Sequence, residues 1–244
     1  AATYYTYDIH GNVDVLLQHY TNDLMWNTAN GFKRMEYKYD LISGKVNEVA
    51  YQPGYKDQYY HRYDYDAENK LTLVKTSADY VYWQQQAAYS YYRHGPLART
   101  EIGQLTVQGV DYVYTLQGWL KGVNATSAGT GFDAGSYANH TGIAKDAYGF
   151  SLNYNTTDYK PINNTVTPFV AGTLNLVNTD AATVAKPLYN GNIAAMMVNI
   201  PKLGDAHLYG YKYDQLNRIV SMDAFGGFDN ANNKDHEIYK ENLT

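Results

Sequence analysis

The stretch Tyr211-Lys212-Tyr213-Asp214-Gln215-Leu216-Asn217-Arg218-Ile219 constrains the fold more than any other, because its spacing recurs along most of the chain. Read alone, it is a β-hairpin. Tyr211 and Tyr213 alternate as strand residues do, Asp214 can offer its carboxylate to backbone N–H groups ahead of it, and Asn217 tolerates the positive φ that ends such a turn. Arg218 and Ile219 open the return strand.

The same spacing places Tyr5 and Tyr7 before Asp8, with Gly11 three residues after the Asp and Val13 five after it. It places Tyr63 and Tyr65 before Asp66, followed by Asn69 and Leu71. Tyr37 and Tyr39 precede Asp40, with Gly44 and Val46 one place late, which predicts a turn longer by one residue. Two copies keep the spacing and lose the Asp: Tyr89 and Tyr91 before Tyr92, with Gly95 and Leu97, and Tyr112 and Tyr114 before Thr115, with Gly118 and Leu120. Positions 8, 40, 66, 92 and 115 are separated by steps of 32, 26, 26 and 23 residues. A near-regular period in this range marks a repeat architecture, in which each unit buries its face only by stacking on its neighbours.

These copies resemble the YD repeat of Rhs proteins. The phrases YVYTLQGWLKGVN from Tyr112, YDLISGKV from Tyr39 and YKYDQLNRI from Tyr211 look like its bacterial form, and the resemblance covers residues 4–124 and 186–223. It is more distant to teneurins and to the shell subunits of insecticidal toxin complexes. It implies an all-β sheet of antiparallel hairpins that spirals into a hollow shell, or cocoon. In the bacterial relatives the shell typically encloses a toxic C-terminal domain of a secreted effector. The implied partners are the rest of the same polypeptide, including further repeats and that toxin cargo, and the secretion machinery. The family's Asp-Pro-x-Gly cleavage motif is not found in this sequence. Teneurin-type relatives suggest a competing reading, a cell-surface adhesion module that binds glycans.

Composition agrees with a two-faced sheet. Tyr outnumbers Phe 28 to 6, and a ring that is apolar along its body and wet at its hydroxyl suits strands with two partly solvated faces. The net charge of −5 is spread, so no basic stripe marks a nucleic-acid footprint. The absence of cysteine removes disulfide scaffolds and Cys-based zinc sites. The longest apolar run, residues 193–198, is too short to span a bilayer.

The chain reads as residues 1–244 of one β-shell, cut at both ends from a longer protein, with irregular excursions at 122–148 and 162–186 and a short helix near 180–185. The dipeptide Pro53-Gly54 marks a type II turn. Ser77 to Asp79 is read as a turn with strand resuming over 80–83, and residues 223–236 as a connection.

Chemistry is sparse. The histidines, His10, His19, His61, His94, His140, His207 and His236, show no clustered metal-ligand spacing. Asp205 with His207, and Asp235-His236-Glu237, have no identifiable nucleophile partner. Gly149-Phe150-Ser151 has Asn153 where a nucleophile elbow needs its second Gly. Trp26, Trp83 and Trp119 read as packing anchors rather than sugar platforms. The signature Asp residues recur once per repeat, which fits a structural role and not a pair of catalytic carboxylates. The expectation is therefore a non-enzymatic protein with no cofactor, no metal, no nucleic-acid partner and no membrane insertion, and the Rhs resemblance implies that it is secreted or on a bacterial cell surface.

Overall fold

The computed structural model describes residues 1–20, 31–124, 146–160, 186–200, 202–203, 206–228 and 236–242, with side chains except at 227–228 and 236–242. The elements described are all strands: β1 (Ala2–Tyr7), β2 (Val13–His19), β3 (Phe32–Tyr39), β4 (Val46–Tyr51), β5 (Tyr59–Tyr65), β6 (Leu71–Ser77), β7 (Gln84–Tyr91), β8 (Leu97–Ile102), β9 (Gln108–Tyr114), β10 (Leu120–Val123), β11 (Gly149–Asn153), β12 (Ala195–Asn199), β13 (Ala206–Tyr213), β14 (Ile219–Phe228) and β15 (His236–Asn242). Each strand's hydrogen-bonded neighbour is the next one in sequence. Hairpin after hairpin, the chain is an antiparallel meander. It divides into two compact units, residues 1–90 with 100–107, and residues 91–99 with 108–244.

In the first unit the pleat sorts side chains by chemistry. Lys38, Glu48, Arg62 and Lys75 lie opposite one another across β3 to β6, while Tyr37, Val49, His61 and Thr76 form the adjacent row on the other face. Most of these residues are half-buried, so both faces keep access to solvent. The second unit holds an apolar core of Ala194, Ala195, Met197, Ala206, Leu208 and Phe225, with Leu188 packed against it. Its central row runs Ser151, Met197, Leu208, Phe225 across β11 to β14.

The turn at Pro53 forms as its residues dictate. Tyr55 N–H donates to the Gln52 carbonyl at 3.1 Å and Gly54 has φ 85°. Two readings are corrected. Residues 80–83 are turn rather than strand: Ser77 Oγ accepts from Tyr80 N–H at 2.9 Å, and Asp79 Oδ1 accepts from the Val81 and Tyr82 amides, both at 2.9 Å. With those amides capped by side chains, ladder pairing starts only at Gln84. Strand also continues through 223–228, where a connection was expected, because β14 pairs with β13 on one side and β15 on the other. The expected helix, Trp26 and most of both excursions lie outside the described residues.

Candidate functional site

The repeated hairpin end is the one constellation that the chain builds again and again. Asp8 N–H donates to the Asn12 carbonyl at 2.9 Å, and Gly11 N–H donates to the Asp8 carbonyl at 3.1 Å. The same two bonds link Asp66 with Lys70 and Asn69, Tyr92 with Pro96 and Gly95, Thr115 with Trp119 and Gly118, and Asp214 with Arg218 and Asn217. At Asp40 the first bond reaches Lys45 and the second comes from Gly44, so that turn is one residue longer. The closing residue is left-handed each time: φ is 86° at Gly11, 69° at Gly44, 61° at Asn69, 117° at Gly95, 84° at Gly118 and 61° at Asn217. Gly enters this region freely and Asn at small cost, which is why only these two residue types stand here.

The Asp carboxylate completes the turn. Oδ1 of Asp8 accepts from the His10 and Asn12 amides, both at 2.8 Å, and Asp66 repeats this with Glu68 and Lys70, both at 2.9 Å. Asp214 accepts from Leu216 at 2.8 Å and Arg218 at 2.9 Å, and Asp40 from Ile42 at 3.1 Å and Ser43 at 2.7 Å. Thr115 keeps one such bond, its Oγ1 accepting from Trp119 N–H at 3.1 Å. The donors favour the charged form: Asn12 holds Asp8 below the usual carboxylate range, Ser43 does so for Asp40 and Arg218 for Asp214.

A one-residue register shift follows. Tyr7 pairs with Val13, Tyr39 with Val46, Tyr65 with Leu71 and Tyr213 with Ile219, each by a bulge that leaves Asp14, Asn47, Thr72 or Val220 as the extra residue. The aliphatic of the motif is thus the cross-strand partner of its second Tyr. The first tyrosines sit two residues upstream on the same strand face, with ring centroids 6.5 Å apart for Tyr5 and Tyr7 and for Tyr37 and Tyr39.

The second Tyr also reaches beyond its own hairpin. Tyr39 Oη donates to the Val13 carbonyl at 2.9 Å, Tyr65 to Val46 at 2.9 Å and Tyr213 to Ile193 at 2.8 Å. Each acceptor lies two residues past the left-handed glycine of the preceding turn, Gly11, Gly44 or Gly191. Tyr154 makes the same stitch to Leu120 at 2.9 Å, two residues past Gly118. Burial raises the pKa of all four phenols, which keeps them protonated as donors. The spacing exposed the tyrosines and the turn, but not the stitch. Its acceptor is a backbone carbonyl, which leaves no mark on sequence.

A second constellation, absent from the sequence reading, centres on Glu48. It is 6% exposed and accepts hydrogen bonds from Lys38 at 2.7 Å, Arg62 at 3.1 Å and the Tyr80 hydroxyl at 3.1 Å. Burial pushes its carboxyl up, but the three donors outweigh burial and the pKa falls below the usual value. The Arg62 guanidinium lies 4.0 Å over the Trp83 ring, and Tyr80 holds φ 65° beside it. A groove of about 630 Å³ adjoins this cluster, lined by Lys38, Asn47, Arg62, Asp64 and the turn carboxylates Asp40 and Asp66. Its acids are already engaged, Asp64 with Lys75 at 3.3 Å and Asp40 and Asp66 within their turns.

The remaining candidates scatter. His10 and His94 are exposed in turns, His61 stacks on Tyr63 and meets Tyr59 edge-on, and Trp119 packs on Tyr154 and against Gly191. Asp205 and Asp235 lie outside the described residues. Among the described residues no three His, Asp or Glu side chains gather as a metal site, and no helix is long and apolar enough to cross a membrane.

No family profile matches the chain, and no curated protein does. Solved structures do. The crystal structure of TcdB2-TccC3-Cdc42 aligns at a TM-score of 0.53 and 13% identity, over 89% of this chain and 9% of that one. The crystal structure of TcdB2-TccC3 aligns at 0.45 and 12% identity, over 97% of this chain and 12% of that one. The first likeness defines the class: an all-β sheet of consecutive antiparallel hairpins, of a kind found within a far longer chain.

Proposed function

We propose that this chain is a wall segment of a YD-repeat β-shell, part of a secreted bacterial Rhs-type effector whose shell encloses a C-terminal toxin domain. The role is structural, without catalysis or cofactor. The tyrosine stitch carries this reading, because at Tyr39, Tyr65 and Tyr213 it ties a signature hairpin to the one before it and so extends a sheet by repetition rather than closing it. The fold shared with TcdB2-TccC3-Cdc42 and the sequence resemblance point the same way.

Limited proteolysis of the full parent protein tests enclosure. The expected result is a C-terminal domain that resists cleavage for as long as the repeat region stays intact. A C-terminal region digested while the repeat region is still intact overturns it. The adhesion reading would then take over, carried by Tyr55, Val81 and Tyr82, which are exposed at the connections of the first unit.

A further inference from the structure

In the second unit a lysine, an asparagine and an aspartate meet in a buried cluster that the repeat does not require. Lys121 is the extra residue of the bulge in the fifth copy, where Leu120 pairs with Tyr114 and Gly122 with Val113. Elsewhere that position holds Asp14, Asn47, Thr72 or Val220. Lys121 Nζ lies 2.8 Å from Asn153 Oδ1 and 2.9 Å from Asp158 Oδ2. The exposures are 4%, 5% and 7% for Lys121, Asn153 and Asp158. Asp158 is fixed in place, since the same Oδ2 accepts from Tyr154 N–H at 2.8 Å, and the Tyr154 ring, 5% exposed, packs at a tilt against Trp119. The Asn153 carboxamide nitrogen is buried and has no partner.

We propose that Lys121 and Asn153 join in an intramolecular isopeptide bond, with Asp158 as the proton carrier. A buried ion pair is a costly way to hold two strands together, whereas an amine beside a carboxamide in a dry site has a covalent outcome open to it. Asp158 takes a proton from the Lys121 ammonium, and the freed lone pair attacks Cγ of Asn153. The Nζ–Cγ bond forms and the Cγ–Nδ2 bond breaks. The second Nζ proton is also shed through Asp158, and the nitrogen leaves as ammonium carrying both protons, so no oxidant, reductant or second reactant is needed. Burial lowers the Lys121 pKa against the pull of Asp158, which favours the neutral nucleophile. Nothing holds the departing nitrogen, and burial excludes the water that would hydrolyse the amide instead. The product fastens β10 to β11 across a separation of 32 residues.

Mass spectrometry of the natively purified protein decides the matter. The expected intact mass is that of the encoded chain less one ammonia. Trypsin should leave Lys121 uncut, and tandem spectra should show a branched peptide joining the Lys121 and Asn153 segments. Lys121→Arg, which keeps a cation for Asp158, restores the encoded mass. Asp158→Asn gives a mixture in which the uncrosslinked form dominates. An encoded mass in the wild-type protein overturns the proposal whether or not either variant folds. So does a loss of ammonia without a branched peptide, which would be a succinimide.

Discussion

The Tyr65 hydroxyl donates to the Val46 carbonyl at 2.9 Å, crossing from the third signature hairpin to the second. Tyr65→Phe removes that donor and keeps the ring, so it should cost about 1 kcal/mol, the net worth of one protein hydrogen bond. Urea unfolding would show a lower midpoint at an unchanged slope. Tyr7→Phe is the control: its hydroxyl has no such acceptor, and the midpoint in this chain should not move.

Two glycines separate conformational cost from steric cost. Gly118 has φ 84° with no atom within 4 Å of where a β-carbon would sit, so Gly118→Val should lose about 1–2 kcal/mol from the left-handed backbone alone. At Gly109 the β-carbon would fall on the guanidinium of Arg99, which pairs with buried Asp111. Gly109→Ala should lose more, on the order of 3 kcal/mol, the scale of breaking a buried ion pair. Equal losses in a denaturant series would refute this ordering.

Acid should loosen the signature turns. The folded-state pKa values of Asp8, Asp40 and Asp214 lie below the usual 3.8, so their stabilisation is fully present above that value and is lost as pH falls through the lower folded values. The melting temperature is expected to fall more steeply below pH about 4 than above it. Asp214→Asn should shrink the drop, because the amide keeps an acceptor and cannot titrate.

His61 should add a second, milder slope. Burial lowers its pKa from the usual 6.5, so folding favours the neutral ring, and stability present above 6.5 declines as pH falls toward the lower folded value. Proton titration of His61 by NMR should give a midpoint below that of an unfolded peptide. A midpoint at or above 6.5 would mean that the Tyr59 and Tyr63 rings do not shield His61.

Glu48→Gln should cost about 1.5–3 kcal/mol, the range for hydrogen bonds to a charged group, because Lys38, Arg62 and Tyr80 all converge on this carboxylate. The loss should be read by chemical denaturation at neutral pH. It should shrink in acid, where the wild-type carboxyl is itself protonated.

What could be read from the sequence was local. The signature turn depends on an Asp, a Gly or Asn, and their separation, so Asp8 with Gly11 and Asp66 with Asn69 declared themselves. Even the longer turn at Asp40 showed in the displaced Gly44. The Glu48 cluster did not show, because Lys38, Arg62 and Tyr80 come from separate elements and meet only once register is fixed. Residues 80–83 misled because Tyr, Val and Trp favour strands, while the capping of Ser77 and Asp79 overrode that preference. Lys121 also stayed hidden. Only the bulge and the partners it acquires distinguish it from any other lysine near a turn.

In the meander, each signature turn joins an odd-numbered strand to the next even-numbered one, so within each unit these turns line a single margin of the sheet. The β2–β3, β4–β5, β6–β7 and β8–β9 connections fall on the opposite margin and follow no common pattern. Pairing is therefore reset at every second corner, and a change of length at the unpatterned margin is absorbed before the next hairpin begins. Foreign segments such as epitope tags or fluorophore-bearing loops should be tolerated between Gly54 and Gln58, whereas the same cargo between Asp66 and Asn69 should disrupt the register of every strand that leans on it.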